Sequence, residues 1–86
     1  MSAVYEIEIE RAALDELAAL PPEALAACTE LMAELEDAPW TGDAYNRMLP
    51  EAGLRTHGFG DGERGLVVYT VVEQHRQVSV LRVLWD

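Results

Sequence analysis

From Val4 to Glu10 the chain alternates between apolar and acidic positions, with Tyr5, Ile7 and Ile9 on one side and Glu6, Glu8 and Glu10 on the other. A period of two predicts a half-buried β-strand. From Arg11 the period changes: Ala12, Ala13, Leu14, Leu17, Ala18 and Leu20 take the three-and-four spacing of a helix with one apolar stripe. Pro21 ends that helix. Pro22 suits the first turn of a second helix, where its missing N–H costs nothing, and Glu23 suits the positive end of the helix dipole. Leu25, Cys28, Leu31, Met32 and Leu35 then form its inner stripe, and Glu30, Glu34 and Glu36 face outward. The pattern predicts a helical hairpin joined at Pro-Pro.

Residues 37–53 hold Pro39, Trp40, Gly42, Asn46, Pro50 and Gly53, too punctuated for a long element, although Ala44 to Leu49 has room for a turn. Leu54 to Phe59 resumes a short strand. Gly58, Gly60, Gly62 and Gly65 predict a flexible hairpin connection. Leu66 to Val72 and Val78 to Trp85 are near-continuous runs of strand-forming residues, as expected of central strands covered on both faces, or on one face plus a partner. The predicted order is β-α-α-β-β-β. It defines an α+β domain with the helical pair packed on an antiparallel-rich sheet. At 86 residues the chain is read as one domain, 1–86, sharing a single core.

Composition sharpens this in three places. Half the residues are apolar and 26% are charged, which is globular rather than disordered composition. No apolar run reaches the length of a membrane span, and the start Met-Ser-Ala-Val-Tyr-Glu is acidic where a secretion leader is basic, so a soluble cytoplasmic protein is expected. The formal net charge is −10, and it is lopsided. Residues 1–53 carry twelve acids against Arg11 and Arg47, while residues 54–86 balance four acids with Arg55, Arg64, Arg76 and Arg82 and hold both histidines. A field this negative repels nucleic acid and favours cationic partners, so an arginine cluster that gripped phosphate would work against its background.

The stretches "YEIEIERAALDELAALPPEALAACTELMAELEDAP" and "LVVYTVVEQHRQVSVLRVL" resemble the RelE/ParE superfamily of bacterial toxins over almost the whole chain. Members share this element order, often with Leu-Pro-Pro between the helices and "VIY" or "LVY" in the next-to-last strand. The resemblance implies two branches. RelE-like members are endoribonucleases that cut messenger RNA on the ribosome without metal or cofactor, and ParE-like members act on DNA gyrase. Both are neutralised by an antitoxin protein that wraps them.

Cutting RNA requires an activated 2′-hydroxyl, stabilised charge on the pentavalent phosphate and a protonated leaving oxygen. Carried over from the family, Arg55 and His57 in "LRTHGF" match basic positions that alternate onto one side of a strand. Leu66 stands where the family often has arginine ahead of Tyr69. Arg64 lies two residues earlier and substitutes only if the strand extends that far. Arg82 in "VLRVLWD" matches the family's "VLRVGHR", but Leu84, Trp85 and Asp86 replace glycine, histidine and arginine, and the family's later tyrosine has no counterpart in these residues. A carboxylate there repels the scissile phosphate.

Arg55, His57, Arg64 and Arg82 are therefore the candidate catalytic group. Each also has an ordinary reading: the arginines as solvent-facing strand residues or partners of acids such as Asp61 and Glu63, in pairs contributing about 0–1 kcal/mol. Cys28 reads as a small buried residue, His75 as turn chemistry, Tyr69 as core with its hydroxyl at the sheet edge, and Trp40 as packed in the core. Trp85 must be packed by its own domain or offer apolar surface to something else. Two functions follow: an RNA-cleaving translation inhibitor of weak or altered activity, or a non-catalytic interaction protein of the same fold that binds an antitoxin or a gyrase-type target. The charge favours the second. Its apolar groove is expected to be covered by an antitoxin or, without one, by a homodimer.

Overall fold

The computed structural model describes residues 4–86. Met1, Ser2 and Ala3, part of the acidic start from which the lack of a leader is read, lie outside them. The alternating segment forms strand β1 (Glu6–Ile9), shorter at both ends than its sequence pattern. Helix α1 (Arg11–Ala18) follows at once, its first turn closed by the Leu14 N–H on the Glu10 carbonyl. Helix α2 (Pro22–Asp37) begins on its proline, with Glu23 in the first turn. Its buried stripe is Ala24, Cys28, Leu31 and Leu35.

A 3₁₀ turn (Pro39–Thr41) leads into a two-residue strand, β2 (Asp43–Ala44), which the punctuated sequence concealed. Strand β3 (Leu54–Phe59) has the bounds its pattern predicts. The glycine-rich connection is a tight 3₁₀ turn (Asp61–Glu63) in which Gly60 and Gly62 take positive φ, while Gly58 and Gly65 lie inside strands rather than in the loop. Strands β4 (Gly65–Val72) and β5 (Gln77–Trp85) complete the chain. Among the described residues no helix is long and apolar enough to cross a membrane.

The five strands lie in the order β1-β5-β4-β3-β2. The three long C-terminal strands pair antiparallel, as expected, but β1 runs parallel to β5 from Glu6↔Gln77 to Ile9↔Val80, so the sheet is mixed. Between β4 and β5 the register slips by one residue: Tyr69 faces Val80 and Val68 faces Arg82, which leaves Leu81 without a partner of its own. This is a β-bulge.

Both helices cover one face of the sheet. Ala13, Ala24, Cys28, Leu31 and Leu35 pack with Val67, Tyr69, Val71, Val78, Val80 and Val83 in one core. Burial along β4 alternates accordingly, so the other face is open, and Leu66 and Leu84 stand on it as an exposed cross-strand pair. The central strands are thus covered on one face, not both. At the far corner the Phe59 ring fills the space over Gly65, where a Cβ would lie 2.3 Å from the ring, and Trp85 stacks on Phe59 at 5.8 Å between centroids.

The opposite end is tied by Glu73. Its carboxylate accepts from the Tyr5 hydroxyl (2.7 Å), the Trp40 indole N–H (2.9 Å) and Arg76 (2.8 Å), joining the segment before β1, the turn after α2 and the β4–β5 turn. These donors, Tyr5 first, hold the Glu73 carboxyl below its usual range, and the same bond pushes the Tyr5 hydroxyl up.

Candidate functional site

Arg55 is the buried charge of the sheet, 8% exposed. It points to the covered face, cross-strand from Tyr69. One terminal nitrogen donates to the carbonyls of Pro50 (3.1 Å) and Ala52 (3.2 Å), and the other to that of Gly42 (2.7 Å). The Trp40 ring lies against the guanidinium at 5.1 Å, and Nε is buried without a partner. The cation is consumed in holding the connection from Gly42 to Ala52, which has no regular element of its own beyond β2. A buried guanidinium held by main-chain carbonyls is a structural cation, and this one is largely shielded from solvent.

His57 shares that face, cross-strand from Val67, and is half-buried. Its Nδ1 lies 2.8 Å from the Gly58 carbonyl oxygen, the distance of a donated bond. The shallow cleft beside it, about 190 Å³, is lined by Thr41, Asp43, Thr56 and Glu63, so carboxylates and hydroxyls rather than cations surround the imidazole. A larger groove of about 560 Å³ adjoins it, lined by Asp43, Tyr45, Pro50 and Thr56 with Arg47, a cation that the sequence reading passed over.

Arg64 is not on a strand. It caps the 3₁₀ turn, and β4 begins one residue later, so the strand extension that would let it replace the missing arginine at Leu66 is absent. Its side chain donates to the main-chain oxygen of Asp86 (2.8 Å) and lies over the Trp85 ring at 4.9 Å. Arg82 stands cross-strand from Val68, on the side opposite Arg55. Its Nε (2.9 Å) and Nη2 (2.6 Å) both donate to one oxygen of Glu16, while the other oxygen of that carboxylate accepts the Val83 N–H at 2.8 Å. Arg82 first, and the Val83 N–H second, hold the Glu16 carboxyl below its usual range. The acid that pairs with a candidate arginine is therefore Glu16 of α1, and not Asp61 or Glu63.

The structure brings Arg55 and His57 onto one face and sets Arg82 on the other, two strands away, with Arg64 at the corner beside Trp85. The four do not line one concave patch.

The remaining expectations divide. Cys28 is fully buried, and burial pushes its thiol up to about 11, so it stays protonated. Tyr69 is core, but its hydroxyl is interior rather than at an edge, donating to the Pro39 carbonyl at 2.7 Å, and burial pushes it up. Trp40 does not enter the core: it is 38% exposed and lies over Arg55. Trp85 is packed by its own domain on one side, against Phe59.

A five-stranded mixed sheet with a helical hairpin on one face is an architecture that solved structures of small toxins share. The chain superposes on a chain of the toxin–antitoxin complex RelBE2 from Mycobacterium tuberculosis with a TM-score of 0.78 and 26% identity, over 100% of this chain and 95% of that one. It is similar to the isolated E. coli RelE toxin (TM-score 0.79, 15% identity, 95% of this chain and 84% of that one). It is similar also to the archaeal RelE-RelB complex from Pyrococcus horikoshii (0.66, 16%, 95% and 94%). No family model and no curated protein matches. The fold is that of the RelE superfamily of toxins, as the sequence resemblance implies.

Proposed function

We propose that this protein is the toxin-fold member of a toxin–antitoxin pair in the cytoplasm, that it works by binding protein partners, an antitoxin first among them, and that its capacity to cleave messenger RNA is weak or lost. The antitoxin partner is supported by the likeness to chains solved in RelBE and RelE-RelB complexes. The weak chemistry rests on one observation: the candidate arginines do not converge, and each is tied within the protein, Arg55 on three carbonyls, Arg64 by one terminal nitrogen on Asp86 and Arg82 by two nitrogens on Glu16. Phosphoryl chemistry depends on donors aimed at the developing charge before reaction, and rebuilding such a cluster here would first break these bonds. The half-buried His57 has acids for neighbours, which disfavours an approaching phosphate.

The test is expression with and without the neighbouring gene, reading growth, co-purification and cleavage of added mRNA in a ribosome-dependent assay. Co-purification of the neighbour's product with no cleavage is expected. Cleavage abolished by Arg82→Ala would restore the ribonuclease assignment, and arrest with gyrase inhibition but intact mRNA would move the target to gyrase.

A further inference from the structure

The β5 edge is only half covered. β1 pairs with Gln77 to Val80, and the chain then turns away into α1, the Glu10 N–H closing on the Val80 carbonyl. Beyond that point β5 runs on to Trp85 with β4 on one side. In an antiparallel ladder alternate residues turn both main-chain groups away from the partner strand. The Val83 N–H, bonded to Glu16, marks that parity, so Val83 and Trp85 present their N–H and C=O groups to the uncovered side. Along this edge lies a groove of about 340 Å³ lined by Ala19, Leu20, Val83, Leu84 and Trp85, with Glu16 at its side. Leu84 is 39% exposed.

Glu16 occupies the position of a missing strand. Its carboxylate oxygen accepts the Val83 N–H at 2.8 Å as a neighbouring strand's carbonyl would, and Arg82 holds it there. Side-chain charges at an open edge are a common guard against unwanted strand pairing.

We infer that the Val83–Trp85 edge of β5 is a docking site for an extended segment of a partner protein, alternating apolar and cationic residues, which adds to the sheet in line with β1 and displaces Glu16 from the Val83 amide. The incoming backbone supplies the carbonyl for Val83, its apolar side chains fill the groove against Leu20 and Trp85, and its cations answer the acidic surface. A second copy of this chain is the poorer occupant, because two molecules of net charge −10 repel each other. This site goes beyond the proposed function and does not depend on it, since an edge that captures a strand serves a protein of any role.

The test uses the full-length chain labelled with ¹⁵N and two blocked synthetic hexapeptides, one alternating lysine with valine and one alternating glutamate with valine. The lysine peptide is expected to shift the Val83 and Trp85 amide resonances and slow their hydrogen exchange, with at least a fivefold lower affinity for the glutamate peptide. Glu16→Ala, which removes the competing acceptor, is expected to bind the lysine peptide several-fold more tightly. Glu16→Gln, which keeps the shape and a weaker acceptor, is expected to fall between, and it carries the test alone if the alanine variant does not fold. Equal response to the two peptides, shifts confined to β1 or β2, or unchanged affinity in the Glu16 variants would each overturn the inference. So would dimerisation of Glu16→Ala without peptide, which would make a second copy the occupant.

Discussion

The two sides of the sheet handle the same problem with opposite charges. Beside β3, the Arg55 cation turns inward and supplies N–H groups to three main-chain carbonyls of an irregular connection. Beside β5, the Glu16 anion turns toward the strand and supplies an acceptor to one main-chain N–H. In both places a charged side chain stands in for backbone that would otherwise pair with backbone. The difference is burial. Arg55 is sealed under Trp40, whereas Arg82, which steadies Glu16, is more than half exposed. Arginines that look alike in sequence thus divide into a buried internal strut and an exposed surface latch.

The largest effect is expected at the strut. Arg55→Met removes charge-assisted bonds and leaves three carbonyls short of donors, at about 2–4 kcal/mol by urea denaturation. A loss below about 1 kcal/mol would mean that the Gly42–Ala52 connection holds itself. Gly42→Ala attacks the same region without touching charge: its Cβ would lie 2.3 Å from the Tyr69 hydroxyl and 2.4 Å from the Thr56 carbonyl, so the acceptor of Arg55 must move, at roughly 1–3 kcal/mol.

At the latch, Glu16→Gln is expected to cost about 1 kcal/mol or less near neutral pH. Because the folded-state carboxyl of Glu16 lies below its ordinary 4.5, its contribution is complete above that value and is lost as pH falls through the folded value. Acid titration of stability should therefore be shallower below pH 4.5 in Glu16→Gln than in the parent. Smallest is Tyr5→Phe, which removes the leading cause of the low Glu73 carboxyl value; carboxylate NMR should show Glu73 titrating at higher pH, with little change in the fold.

The period-two and three-and-four patterns were enough to locate β1, both helices and the long C-terminal strands, because each rests on neighbours a few residues apart. The parallel pairing of β1 with β5 was not readable, since it joins segments about 70 residues apart and leaves no local trace. The candidate site shows the same limit. Alternation correctly put Arg55 and His57 on one side of a strand, but whether that side met water or helices depended on the whole fold. Glu16 is separated from Arg82 by 66 residues, so no local pattern joins the two. Trp40 read as core because large aromatics usually are, and it instead lids a buried cation.

The odd residue at Leu81 has an effect out of proportion to its size. Up to Val80, even-numbered residues of β5 face the helices; past the slip, odd-numbered Val83 does. Were the strand strictly regular, Arg82 would be driven into the oil between sheet and helices while Val83 and Trp85 went outside. The slip at Leu81 is thus what keeps the tail of the strand in frame, and with it the latch, the groove and the Phe59 stack; excising the residue would set Arg82 directly after Val80 and leave all three on their present faces.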